Sequence, residues 1–197
     1  MLRSLVGSEM CIRDSFYIDC RDQQLTVFPE GQVTGRLMTN AGRTRSFGGE
    51  ASLLATLWRN LDLQVAYGYT RATFVKFDTG KADYAGNFIP YAPQHTLYAG
   101  ASYTLRTDWN WLEYVIFRVA ANGAGRIYWN EANTFSQPFY ALLEASIRFE
   151  HRHWAVDVWG RNLTGTRYDT FYFMSIGNSF LQRGRPRTFG VSLSITL

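Results

Sequence analysis

The sequence has 197 residues, of which 16% are aromatic and only 18% charged, with a net charge of +4. Soluble domains run nearer a quarter charged, yet a mean hydropathy of -0.20 and the lack of any stretch near the roughly 18 apolar residues of a membrane helix exclude a helical membrane protein. A transmembrane β-barrel satisfies both, because its strands need only about 9–11 residues and alternate lipid-facing with water-facing side chains.

The first segment, Met1 to Ser15, reads MLRSLVGSEMCIRDS. Its apolar pieces are too short for a signal peptide, and Glu9 and Asp14 interrupt them. It resembles a translated linker found at the ends of assembled sequence fragments. It is expected to stand outside the fold, the alternative being a short disordered native segment, with residues 16–197 forming the barrel portion. Cys11 lies in that segment and Cys20 stands alone after it, so no disulfide or metal framework follows.

Less regular strands are expected from about Phe16 to Phe28 and from about Gly48 to Trp58. Strict period-two alternation then begins, the pattern that sends successive side chains to opposite faces of a sheet. Leu61, Leu63, Val65, Tyr67 and Tyr69 oppose Asp62, Gln64, Ala66, Gly68 and Thr70. Leu97, Ala99, Ala101, Tyr103 and Leu105 oppose Thr96, Tyr98, Gly100, Ser102 and Thr104. Val115, Phe117, Val119 and Ala121 turn away from Arg118 and Asn122.

Phe139, Ala141, Leu143, Ala145, Ile147 and Phe149 oppose Tyr140, Glu144, Ser146 and Arg148. Trp154, Val156 and Val158 oppose Asp157, Trp159 and Arg161. The chain closes with Phe189, Val191, Leu193, Ile195 and Leu197 against Gly190, Ser192, Ser194 and Thr196. No segment has helical spacing, so about eight strands are expected.

Short connections fall at Arg59-Asn60, Thr107 to Asn110 and His151-Arg152, and long ones at Pro29 to Ser46, Asp78 to Gln94, Arg126 to Pro138 and Gly165 to Pro186. That asymmetry belongs to an up-and-down barrel with tight inner turns and extended outer loops. Trp58, Trp109, Trp111, Tyr114 and Trp154 are expected near the inner interface, and Tyr69, Phe74, Tyr128 and Trp129 near the outer rim, as aromatic girdles. The fold class is therefore all-β: an antiparallel up-and-down transmembrane β-barrel pattern of about eight strands, a curved open wall unless they close on themselves as a small barrel.

Four segments, NAGRTRSFGGE at Asn40 to Glu50, GNFIPYAPQHTLYAGASY at Gly86 to Tyr103, GRNLTGTRYDTFYF at Gly160 to Phe173 and FLQRGRPRTFGVSLSITL at Phe180 to Leu197, together resemble the closing part of TonB-dependent receptors. The resemblance implies a larger barrel of about twenty-two strands around an N-terminal plug, of which these eight or so strands are a β-barrel fragment forming a curved open wall, neither plug nor TonB-contacting box being in this sequence. It implies residence in the bacterial outer membrane and TonB-energised uptake of a scarce nutrient: an iron chelate such as a siderophore, else a vitamin or glycan. The TonB complex, the barrel-assembly machinery, outer-membrane lipid and lipopolysaccharide, and a small-molecule ligand are the implied partners. Thr188, Gly190, Leu193, Ile195 and Leu197 resemble the assembly signal of such proteins, although a terminal phenylalanine is the commoner ending.

Arg118, Glu144, Arg148, Asp157 and Arg161 are expected to face the lumen, lining a path or pairing across strands. Tyr128, Trp129, Phe135, Tyr168, Phe171, Tyr172 and Phe173, mixed with Asn130, Glu131, Asn133 and Asp169, are candidate ligand-binding rings for an amphipathic ligand such as a metal chelate, loop packing being the other account of them. Arg43, Arg45, Arg71, Arg126, Arg167, Arg183 and Arg185 gather toward the outer rim, where guanidinium forks match phosphate oxygens of lipid A or of an anionic ligand. His95, His151 and His153 lack a third ligand nearby, and no metal or cofactor is expected. No nucleophile elbow, phosphate-cradling glycine loop or HExxH occurs, so neither an enzyme nor a nucleic-acid partner is expected. The rivals are a passive porin-like channel and a soluble lectin-like β-sandwich.

Overall fold

A computed structural model describes residues 9–27, 37–58, 60–80, 82–175 and 178–196. Twelve strands form: β1 (Glu9–Val27), β2 (Leu37–Leu57), β3 (Leu61–Lys76), β4 (His95–Trp109), β5 (Leu112–Ala124), β6 (Ile127–Tyr128), β7 (Ser136–Gln137), β8 (Tyr140–His151), β9 (Trp154–Arg161), β10 (Asp169–Ser175), β11 (Asn178–Arg183) and β12 (Thr188–Ile195). Eight of them make one sheet in the order β1-β2-β3-β4-β5-β8-β9-β12, each antiparallel to its neighbour. The hairpins β6-β7 and β10-β11 stand apart in the long connections. The expected all-β, up-and-down, open wall is the observed architecture.

Register turns the alternation of single strands into a property of the sheet. Leu53, Val65, Ala99, Ala121 and Leu143 follow one another across five strands, as do Phe117, Ile147 and Val158 further along. Val191, Leu193 and Ile195 of β12 pair with Val158, Val156 and Trp154. All these side chains share one face, because residues paired across strands point the same way. Among the described residues no second layer covers them, and Val65, Phe117, Val119 and Leu193 are all exposed. A sandwich would bury this face against another sheet, so the soluble β-sandwich is not the fold.

An apolar band about 25 Å tall, crossed at a tilt near 45°, takes roughly ten or eleven residues per strand. On β3 that span runs from Leu61 to Arg71, and on β2 from Leu57 to Phe47, its register partners. The longer outer ends of β1 and β2 project beyond it.

Several expectations change. β1 begins at Glu9 rather than Phe16, and residues 9–15 pair with Gly49 to Ala55. In that register Glu9, Cys11 and Arg13 share the face of Leu53 and Ala51, while Met10 and Ile12 turn to the polar face, the reverse of every other strand. β2 begins at Leu37 rather than Gly48, absorbing much of the expected loop. Tyr114 pairs with Arg106 and Glu150 and so faces the polar side, away from lipid.

Among the described residues a small aromatic core forms where the upper end of β3 meets the loop after it. Phe74 and Phe77, each 1% exposed, pack with Tyr84 and Ile89. The chain after β3 folds back along it: the Phe74 amide donates to Asn87 O, and the Ile89 amide to Ala72 O. Asp78 accepts from the Gly80 amide in a tight turn that Gly80 permits with φ +76°. Phe74 and Trp129, expected as girdle residues, are instead interior to this loop packing, Trp129 being 8% exposed.

Candidate functional site

Two regions bear the candidate residues: the polar face of the wall and the loops above it. On the polar face, rows of small residues such as Gly100, Ala120 and Ser146 leave a hollow of about 550 Å3 rimmed by Arg118, Glu144, Asp157 and Arg161. Sequence alternation places all four there, and the register brings them together.

Their pairing differs from the expected cross-strand ladder. Arg148 lies opposite Asp157 in register, yet its Nε binds Glu150 Oε2 at 2.8 Å, two residues along its own strand. Asp157 Oδ1 is buried and without a hydrogen-bond partner. Glu144 Oε1 accepts only a long bond, 3.4 Å, from Asn122 Nδ2. The Arg161 guanidinium lies 4.9 Å above the Trp159 ring, whose Nε1 donates to Ser192 Oγ. Gly190 makes room for that indole, since a Cβ there would stand 2.3 Å from it. This face is thus a polar surface whose charges are only partly satisfied among themselves.

Above the wall, three loops are joined into one body. The Phe88 amide donates to Asn133 Oδ1 at 2.7 Å, and Asn133 Nδ2 returns a bond to Phe88 O at 2.9 Å. Asn87 Nδ2 donates to Glu131 O. Asn130 Oδ1 accepts the amides of Thr134 and Phe135, closing the turn of β6-β7. The third loop is tied in by Gln137, whose Oε1 accepts the Asp169 amide. Asn162 anchors that loop's start by bonding the Thr166 amide and the carbonyls of Thr166 and Arg185.

Tyr91 joins all three. Its amide donates to Tyr128 O, its hydroxyl donates to Tyr172 O at 2.8 Å, and its ring meets Trp129 and Phe171. Its φ of +63° is a left-handed conformation that a bulky residue rarely adopts, held here by these bonds and ring contacts although the residue is itself exposed.

Of the seven candidate rings, Trp129 and Tyr172 are buried in this assembly. Tyr128 stacks on Phe88, Tyr168 on Tyr140, Phe173 on Phe180, and Phe171 on Tyr91. Phe135 stacks on Tyr172 and alone among the seven is exposed. Tyr91, Phe88 and Gln137 were not singled out from sequence; Asn130 and Asn133, which the sequence sets among the loop rings as possible ligand contacts, and Asn162 take part in the loop hydrogen bonding. The signal for two of them was the residue type: Asn133 and Asn162 take positive φ, which asparagine tolerates better than most.

The rim arginines divide. Arg183 is ion-paired with Asp169 at 2.9 Å within the β10-β11 hairpin. Arg43, Arg45 and Arg71 continue the apolar face of β2 and β3 outward. Of the proposed assembly signal, Thr188 and Gly190 share the polar face, Leu193 and Ile195 the apolar face, and Leu197 lies outside the described residues. Among the described residues there is no group of three metal-ligating side chains.

Comparison with known proteins brings the two regions under one heading. The profile of the family described as TonB dependent receptor-like, beta-barrel matches residues 14–163. The pesticin receptors of Yersinia pestis and Yersinia enterocolitica are 26% identical over 187 residues, covering 92% of this chain and 26% of theirs. The ferric yersiniabactin uptake receptor FyuA of Yersinia pestis superposes with a TM-score of 0.78 at 22% identity, over 95% of this chain and 27% of its own. BauA, the ferric preacinetobactin receptor of Acinetobacter baumannii, gives 0.68 at 19% over 94% and 27%. The ferripyoverdine receptor of Pseudomonas aeruginosa gives 0.64 at 16% over 94% and 24%. The chain thus spans about a quarter of the length of these relatives.

Proposed function

Because the chain belongs to the TonB dependent receptor-like β-barrel family, we propose that it forms part of the wall of an outer-membrane receptor importing an iron chelate with energy from TonB. The observation that carries this reading is the uncovered apolar face, continuous in register across β2 to β12. A sheet with one such face and one polar, charged face separates hydrocarbon from water. The structural relatives named for ferric siderophores favour an iron chelate over a vitamin or glycan.

In this reading the polar face lines the lumen, where Arg118, Glu144, Asp157 and Arg161 meet a plug or the ligand's path. The joined loops form part of the outer vestibule, with Phe135 the ring best placed to touch a ligand. The alternation of Thr188 and Gly190 with Leu193 and Ile195 on β12 supports a role in assembly, since an extended strand recruits another by backbone hydrogen bonding.

The test is iron uptake in iron-starved cells that lack other outer-membrane iron receptors and express the intact receptor carrying this wall. Radioactive iron is offered as ferric yersiniabactin or ferripyoverdine. Saturable uptake that disappears on deletion of TonB is expected. Uptake that is non-saturable and indifferent to TonB assigns a passive channel instead, and no uptake of either chelate rejects the iron reading.

A further inference from the structure

The apolar face changes character in a fixed order as β2 and β3 rise, and β1, which places Arg13 in the Ala51 row, joins that order from Tyr17 upward. Leu53 and Val65 share one row, then Ala51 and Tyr67, then Gly49 and Tyr69, the last opposite His95. Above these come Tyr17, Phe47 and Arg71, then Asp19, Arg45 and Thr73, and finally Arg21 and Arg43. On β2 and β3 hydrocarbon-compatible side chains thus give way to amphipathic rings and then to guanidinium groups, all on the surface that faces away from the lumen. Arg71 stands where the apolar band ends, about ten residues above Leu61.

The cations exceed the anions. Asp19 is the one carboxylate in these rows, and Arg43 engages it at two points, Nε to Oδ1 at 2.8 Å and Nη2 to Oδ2 at 2.5 Å. That hydrogen bonding holds the Asp19 carboxyl below its usual range, with Arg45 and Arg21 adding to the same field. Among the described residues Arg21, Arg45 and Arg71 have no ion-pair partner, and Arg45 Nε is buried without an acceptor. The Arg45 and Arg71 guanidinium groups lie over the rings of Tyr17 and Phe88, at 5.9 and 6.0 Å. A ring beneath a guanidinium fixes its plane and leaves its N–H edges free.

Resting on the outer-membrane reading, we infer that this outward upper corner of β1 to β3 is a binding site for the phosphate groups of a lipid in the outer leaflet, with Arg45 and Arg71 as its anchoring forks. The acyl chains lie along Val65 and Leu53, the sugar or glycerol portion meets Tyr17, Phe47 and Tyr69, and the phosphate meets the arginines. Charge complementarity selects a phosphate, and the rows below require that it be carried on a lipid. Arg183, already neutralised by Asp169, has no part in it.

The intact receptor carrying this wall is purified from outer membranes in mild detergent, and retained lipid A is counted by mass spectrometry. R45Q/R71Q is expected to lower the apparent affinity for bis-phosphorylated lipid A roughly thirty-fold, as two cations at an anionic leaflet imply. R183Q/R185Q should leave it unchanged, removal of both lipid A phosphates should abolish retention, and millimolar inorganic phosphate should not displace the lipid. Equal retention by R45Q/R71Q, or displacement by inorganic phosphate, overturns the inference. Heat-modified migration on gels confirms that each variant is folded, and R45K/R71K, with charge but no fork, replaces R45Q/R71Q if that variant does not fold. Recovery outside the outer membrane would instead defeat the membrane reading itself.

Discussion

β8 and the first turn of β1 cross the same depth of the wall with opposite polarity. Leu143, Ala145 and Ile147 send apolar groups to the uncovered face, whereas Glu9 and Arg13 send charge to it and Met10 and Ile12 go to the polar side. Their ladders are equally regular, so hydrogen bonding alone does not distinguish them. Backbone pairing accepts almost any sequence, but a bilayer adds a condition on every second side chain. β8 meets that condition and residues 9–15 of β1 do not.

The largest expected effect tests the stretch that meets it. Leu143→Arg should cost about 2–4 kcal/mol in denaturant unfolding from a bilayer, because the side chain shares the row of Val65, mid-band on the uncovered face. Asn122→Ala, on the polar face, should change stability far less. The converse substitution, Arg13→Leu, should gain about 2 kcal/mol if residues 9–15 occupy lipid in this register. No gain would mean that the stretch does not face the bilayer.

Smaller effects are expected in the loops, where no lipid imposes a pattern. Asn133→Ala removes bonds to Phe88 and Asn130 and should cost about 1–3 kcal/mol, since it leaves partly buried backbone groups unpaired. Faster amide exchange at Phe88 would report the loss. Tyr91→Phe deletes one hydroxyl bond to Tyr172 O and should cost about 1 kcal/mol. The smallest effect is at Asp19. Its carboxyl pKa is lowered by Arg43, so its contribution is full above the unfolded value and is lost as pH falls through the lower folded one. Asp19→Asn should flatten that acid limb, and salt should weaken it in the parent, because the pair is exposed.

The same physical distinction explains what was legible in the sequence. β3, β4, β5, β8, β9 and β12 were read from alternation because lipid and water enforce it residue by residue. β2 was read short: Gly48 and Gly49, then Arg43 and Arg45 on the outward face, break an apolar pattern once the strand leaves the hydrocarbon. Phe74 and Trp129 look like girdle residues in sequence, because a ring near a strand end has the same spacing whether it meets headgroups or a folded loop. The charged positions on the polar face were legible in sequence, but the preference of Arg148 for Glu150 over Asp157 was not, since it depends on side-chain reach. The bonds of Asn133 and Tyr91 join residues 45 and 81 positions apart, with no periodicity to announce them.

The convergence of three loops on Tyr91 constrains how such a receptor can be re-engineered. A loop transplanted singly from a relative would arrive without the carbonyl or ring its new neighbours require. Exchange of the whole trio, residues 78–94, 126–138 and 162–186, is the smallest graft that carries its own adhesive, and new selectivity built by swapping is expected to travel in that unit.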